Sequence, residues 1–121
     1  MLKVHTRKFG SVIVLCLRGR VVRGELAALR AAANSQGGAT AVVLDLTGVT
    51  MIDAGGLGAM LELREQTQAK GIDFKLMNLS KFASWVLEVT HLNSVFEVMS
   101  AAELYFPSDG RAQPMTLAAC A

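Results

Sequence analysis

At 121 residues and 12.9 kDa, with 52% hydrophobic and 18% charged residues, the chain has the composition of one compact domain, long enough to bury about two thirds of the surface it exposes unfolded. A formal net charge of +2 is too small to argue for nucleic acid, and no apolar run approaches the roughly 18 residues of a membrane span. The start, Met1 to Arg7, lacks the apolar core of a secretory signal, so a cytoplasmic protein with no membrane insertion and no nucleic-acid partner is expected.

Leu2, Val4 and Thr6 alternate with Lys3, His5 and Arg7; after Gly10-Ser11 comes the apolar run Val12 to Leu17, so the pattern predicts two strands joined by a hairpin. Gly19 is expected to end the second strand. Val22, Leu26, Leu29 and Ala33 then recur at helical spacing, predicting an amphipathic helix that stops before Gly37-Gly38. Val42 to Leu46 is a continuous apolar run broken only by Asp45, which suits a strand buried on both faces of a parallel sheet. A loop, Thr47 to Ile52, leads to Asp53-Ala54-Gly55-Gly56-Leu57-Gly58, and a helix is expected from about Gly55 to Lys70, capped by Gly71. Ile72 to Met77 predicts a strand, Ser80 a helix cap, Val95 to Met99 a last strand, and Ser100 the cap of a short helix, Ala101 to Tyr105.

Strands alternating with helices point to an α/β fold: a single domain over residues 1–106, with a mostly parallel mixed sheet of about five strands and about four helices. Residues 107–121 are expected to form a flexible C-terminal tail. Cys16 and Cys120 allow a disulfide, but a chain without an export signal is expected to keep both reduced.

Familiar chemistry is mostly excluded. The glycines at 55, 56 and 58 lack the Gly-Lys-Ser/Thr ending of a phosphate loop, and no Gly-x-Ser-x-Gly nucleophile motif occurs. Asp53 is not flanked by the further carboxylates that would hold Mg²⁺, and His5 and His91 stand apart from other ligands, so no metal site, cofactor or catalytic residue is expected. The chain is read as not an enzyme. Asp45 inside an apolar strand must lie near its end or accept hydrogen bonds. Phe82, Trp85 and Val86 read as core packing rather than as a partner groove. Asp53 has two readings, a cap for the following helix or an exposed acid at a strand's carboxyl edge, where glycines let a partner's backbone approach. Lys3, Arg7, Lys8, Arg18, Arg20, Arg23 and Arg30 fall in the first quarter against Glu25 alone, as either a solvated face or a docking surface for an acidic partner.

The run from Val42 to Gly58 resembles the signature of STAS domains, the family of bacterial anti-sigma factor antagonists, in which Asp-Ser-Ser-Gly-Leu-Gly follows a buried strand. The likeness covers roughly Leu2 to Tyr105 and includes Gly19-Arg20, Lys70-Gly71, Thr90-His91-Leu92 and Phe96-Glu97-Val98. It implies a STAS-like single domain and a binding module. In the family, the unphosphorylated domain binds an anti-sigma factor, itself an ATP-binding serine kinase; phosphate on the motif serine breaks that contact, because it adds nearly two negative charges at a helix N-terminus.

The resemblance places partner binding on Thr50, Asp53, Ala54, Gly55, Gly56 and Leu57. It also shows a departure: the two positions that carry the phosphorylatable hydroxyl are Ala54 and Gly55, and a further family acid appears as Val22. Thr50 is the remaining hydroxyl on the loop, although a threonine at a strand end is ordinarily a β-former. The resemblance leaves open an antagonist locked in its binding-competent form, a scaffold of a signalling assembly, or a STAS subunit of a lipid-trafficking ABC transporter. A small anion or nucleotide binder using the helix N-terminus, and homodimerisation, are left open with them.

Overall fold

A computed structural model describes residues 1–34 and 37–100. In chain order these form β1 (Lys3–Phe9), β2 (Val12–Val21), α1 (Ala27–Asn34), β3 (Ala41–Ile52), α2 (Ala54–Ala69), β4 (Asp73–Met77), α3 (Lys81–Val89), a 3₁₀ turn (Leu92–Ser94) and β5 (Glu97–Met99). The five strands make one sheet in the order β1-β2-β3-β4-β5, antiparallel between β1 and β2 and parallel thereafter. The mixed, mostly parallel sheet of the α/β reading is therefore present. Three helices and the 3₁₀ turn stand among the described residues; the expected helix Ala101 to Tyr105 and the tail 107–121 lie outside them.

The sequential strand order decides where the core sits. Each parallel crossover steps in the same direction across the sheet, and right-handed crossovers then place α1, α2 and α3 on one face. Leu29 from α1, Met60 and Leu63 from α2, and Val86 and Leu87 from α3 accordingly share one core with Leu15, Leu44, Leu46 and Leu76 of the strands. Each such side chain taken fully out of water contributes roughly 1.5–3 kcal/mol. The opposite face carries a smaller buried cluster, Val14, Cys16, Val43 and Met77, with Phe9, Val12 and Met99 at its margin.

Several sequence expectations are corrected. β2 runs on to Val21, and β3 runs on to Ile52 where a loop was expected, because Arg18 to Val21 pair with Gly48 to Ile52. Register shifts between Cys16 and Arg18 and between Gly19 and Arg20 absorb the glycines as bulges, so Gly19 does not end the strand. α1 begins at Ala27, five residues later than the helical spacing suggested; Val22 and Leu26 are buried but belong to the connection, where Glu25 N–H donates to the Val22 carbonyl at 3.0 Å. Trp85 does not pack in the core and is 58% exposed. On α3, Ala83, Val86 and Leu87 take the core face, while Trp85 and Val89, four residues apart, share the outer one. Cys16 is disulfide-bonded, against the expectation of a reduced thiol; Cys120 lies outside the described residues. The compartment rule speaks to redox environment and not to geometry.

Two other expectations hold. Asp45 is 2% exposed and accepts hydrogen bonds through both oxygens, from the Thr47 backbone N–H and from the Asn78 side-chain amide, each at 2.9 Å. These bonds offset the cost of burying a carboxylate. Ser80 caps α3 by accepting from the Ala83 N–H at 3.1 Å.

Candidate functional site

The extended β3 delivers Asp53 to the carboxyl edge of the sheet, where it becomes the N-cap of α2 with an extended backbone. Its Oδ1 accepts from the Gly56 N–H at 2.7 Å, satisfying one of the donors left free at a helix start. Both carboxylate oxygens also accept from the Arg23 backbone N–H, at 3.1 Å each. The Asp53 N–H donates in turn to the Val21 carbonyl at 3.3 Å. Asp53 is thus half-buried and engaged with its own chain, so the capping reading holds. The Gly56 N–H, with a smaller contribution from Arg23, stabilises the charged form and holds the Asp53 carboxyl below the ordinary aspartate value, outweighing desolvation.

Gly55 and Gly56 are small because β2 and its exit loop press on α2. A Cβ at Gly56 would stand 1.8 Å from the Val21 carbonyl oxygen, and one at Gly55 would stand 2.7 Å from the Arg23 Cβ. Gly56 is buried, so its missing side chain serves internal packing and not the approach of a partner's backbone. Leu57 is half-buried against the main core. What faces solvent is Thr50, Met51 and Ala54, with Gly55 half-exposed beside them and Arg20 and Arg23 on the adjoining end of β2 and its loop. Thr50 donates its hydroxyl to the Gly19 carbonyl at 3.2 Å.

The six residues named from the sequence lie together at this edge but differ in exposure. Of the six, Thr50 and Ala54 are exposed, Asp53, Gly55 and Leu57 are half-buried, and Gly56 is buried. Met51, an apolar side chain 43% exposed at the edge, is not among the six, and the sequence reading sets Arg23 with the basic residues of the first quarter rather than with Asp53. Arg23 lies thirty residues from Asp53 in sequence, and no local signal joins them. Nor do the basic residues of the first quarter form one free surface. Arg20 pairs with Glu25 at 3.5 Å and Arg30 with Glu62 at 3.2 Å.

A cleft of about 320 Å³ lies at the opposite edge of the sheet, between Asn34, Gly38, Gln66, Lys70 and Ile72. The buried polar side chain in its lining, Thr67, already donates its hydroxyl to the Leu63 carbonyl at 2.9 Å and is not turned to a ligand. Among the described residues, no three His, Cys, Asp or Glu side chains are grouped to hold a metal ion, and no helix is long and apolar enough to cross a membrane.

With this geometry in place, comparison with known proteins is direct. The STAS domain family model matches residues 3–105. Among solved structures, an anti-sigma factor antagonist from Mycobacterium paratuberculosis shares 20% identity at a TM-score of 0.70, over 81% of this chain and 85% of that one. The anti-sigma factor antagonist SpoIIAA in its unphosphorylated form shares 19% identity at a TM-score of 0.67, over 81% and 87%. The Bacillus cell fate determinant SpoIIAA in its phosphorylated form shares 19% at 0.63, over 81% and 90%. These structures share the fold, and the family match spans most of the sequence; the chain belongs to the STAS domain family.

Proposed function

We propose that the chain is a regulatory protein-binding module of the anti-sigma factor antagonist type, not an enzyme. It docks an anti-sigma factor of the ATP-binding serine kinase class through the exposed first turn of α2 and the adjoining ends of β2 and β3. The observation that carries this reading is where the motif lies: Ala54 projects to solvent from the first turn of α2, at the edge of the sheet, beside exposed Met51. Solved relatives of the same fold are named anti-sigma factor antagonists.

The contact is constitutive at this turn. Ala54 and Gly55 carry no hydroxyl, so phosphate cannot be placed there, and the charge that would repel a partner does not arise. Thr50 is the neighbouring hydroxyl and is already bonded to Gly19.

The test is calorimetric titration of the purified protein with a purified kinase-type anti-sigma factor from the same source, using wild type and Ala54→Lys. Ala54 is chosen because it is exposed, whereas replacing Asp53 would also remove a helix cap. Binding is expected, weakened more than about tenfold, or 1.4 kcal/mol, by Ala54→Lys at an unchanged Tm. Added ATP is expected to leave both the affinity and the mass of the protein unchanged. Equal affinity for the two proteins would remove the site from α2, and absence of binding to such kinases would remove the antagonist reading.

A further inference from the structure

The sheet has an open edge whose charge is all of one sign. Among the described residues β1 pairs only with β2, so the other side of its backbone, where alternate residues turn their N–H and C=O groups away from the ladder, is unpaired. This edge is long and regular. Its seven residues, Lys3–Phe9, stand in continuous antiparallel register with β2, without a bulge and without a proline. A short strand, a bulge or a proline is a usual means of keeping an edge from pairing, and β1 has none of them.

What guards β1 is charge. Lys3, His5, Arg7 and Lys8 are exposed, and no acidic residue stands on the strand. The period of two puts Lys3, His5 and Arg7 on one face and Lys8 on the other, where Val4 reaches the helical core. Among the described residues no carboxylate pairs with Lys3, Arg7 or Lys8, whereas Arg20 and Arg30 are matched by Glu25 and Glu62. Glu25, the one acid of the first quarter, is already held by the Met1 amino group at 3.0 Å and by Arg20 at 3.5 Å.

This arrangement discriminates between occupants. A second copy of β1 laid along the edge would set Lys3, Arg7 and Lys8 among the same cations, and like charges across a strand pair are destabilising. An acidic strand reverses that sign, with side chains about 4.5–5.5 Å apart at their Cβ atoms. The open backbone favours a peptide over other polyanions, because neither a nucleic acid nor a lipid surface supplies the alternating amide donors and carbonyl acceptors that complete a ladder.

We propose that β1 is a docking edge for an extended acidic segment of a partner protein. The segment adds to the sheet beside β1, with a carboxylate at every second position facing Lys3, His5 and Arg7. Backbone pairing supplies the register, and the cations select the sign of the partner. This surface is separate from the first turn of α2 and requires no change there.

The experiment is fluorescence anisotropy of the full chain with dye-labelled, end-blocked peptides long enough to pair all of β1. One alternates glutamate with valine, and a second alternates lysine with valine. A third repeats the first with every backbone N–H methylated, which keeps its charge and removes its ladder donors. The glutamate peptide is expected to bind at least about tenfold more tightly than either of the others. Lys3→Glu/Arg7→Glu is expected to lose that preference at an unchanged circular dichroism spectrum. Lys70→Glu/Lys81→Glu makes the same change in net charge at exposed positions off β1, and is expected to bind as wild type does. Amide shifts on adding the glutamate peptide are expected to centre on residues 3–9. Equal binding of the methylated peptide would overturn the proposal in favour of charge alone, and equal losses in the two double variants would reduce it to net charge. Shifts centred on another element, or a dimer paired through β1 in the peptide-free protein, would also overturn it.

Discussion

Both oxygens of the Asp53 carboxylate accept from the backbone N–H of Arg23 at 3.1 Å, while Oδ1 also takes the Gly56 N–H at 2.7 Å. One side chain thereby ties the exit of β2 to the first turn of α2 and fixes the edge on which the proposed partner surface lies. The carboxylate is a fastener within the chain, and the residues exposed beside it are Thr50, Met51 and Ala54.

The fastener depends on charge, which makes it pH-sensitive. The folded-state pKa of Asp53 is depressed, so the unfolded chain binds its proton more readily and stability rises with pH across that window. The contribution is complete above the ordinary aspartate range, near 3.9, and is lost as pH falls through the lowered folded value. Urea midpoints measured on the acid side are expected to fall less steeply for Asp53→Asn than for wild type. Identical acid limbs would mean that the charge at position 53 contributes nothing.

Restoring a serine at position 55 is expected to cost stability before it restores any switch. The added Cβ meets the Arg23 Cβ at 2.7 Å, and overpacking of this kind costs about 1–3 kcal/mol. In an Arg23→Gly background the cost should shrink by at least about 0.5 kcal/mol, the coupling expected of residues in contact. A double-mutant cycle by chemical denaturation measures this, and additive effects would show that Arg23 does not close the position.

Gly56→Ala should be more damaging. Its Cβ would meet a backbone carbonyl oxygen of β2 at 1.8 Å, which a rotamer change cannot relieve. A loss above about 4 kcal/mol, or failure to fold cooperatively, is expected in thermal and urea melts. Wild-type stability in this variant would contradict the contact between α2 and Val21.

A buried strand position and an exposed helix position should respond differently to truncation. Leu44→Ala, at a wholly buried position, is expected to cost about 2–5 kcal/mol. Trp85→Ala removes an exposed ring whose centroid lies 6.0 Å from that of Phe82, and should cost less than about 1.5 kcal/mol. Because Trp85 is the only tryptophan, its native fluorescence should be quenched by iodide nearly as readily as in the unfolded chain. A strongly protected native signal would place it under a partner or another segment.

The sequence by itself determined the strand and helix alternation, the parallel sheet and the family motif. These are local properties: Val42 to Leu46 is continuous in apolar residues, and Ser80 and Asp53 stand where a helix must find acceptors for its first N–H groups. Only the tertiary structure decided how far β2 and β3 extend. Ladder pairing between Arg18–Val21 and Gly48–Ile52 overrides the weak strand preference of their glycines, and that pairing links residues thirty apart. The same distance hid Arg23 from Asp53. Trp85 shows the remaining gap: spacing along a helix says which residues share a face, and the packing of that helix on the sheet says which face is buried.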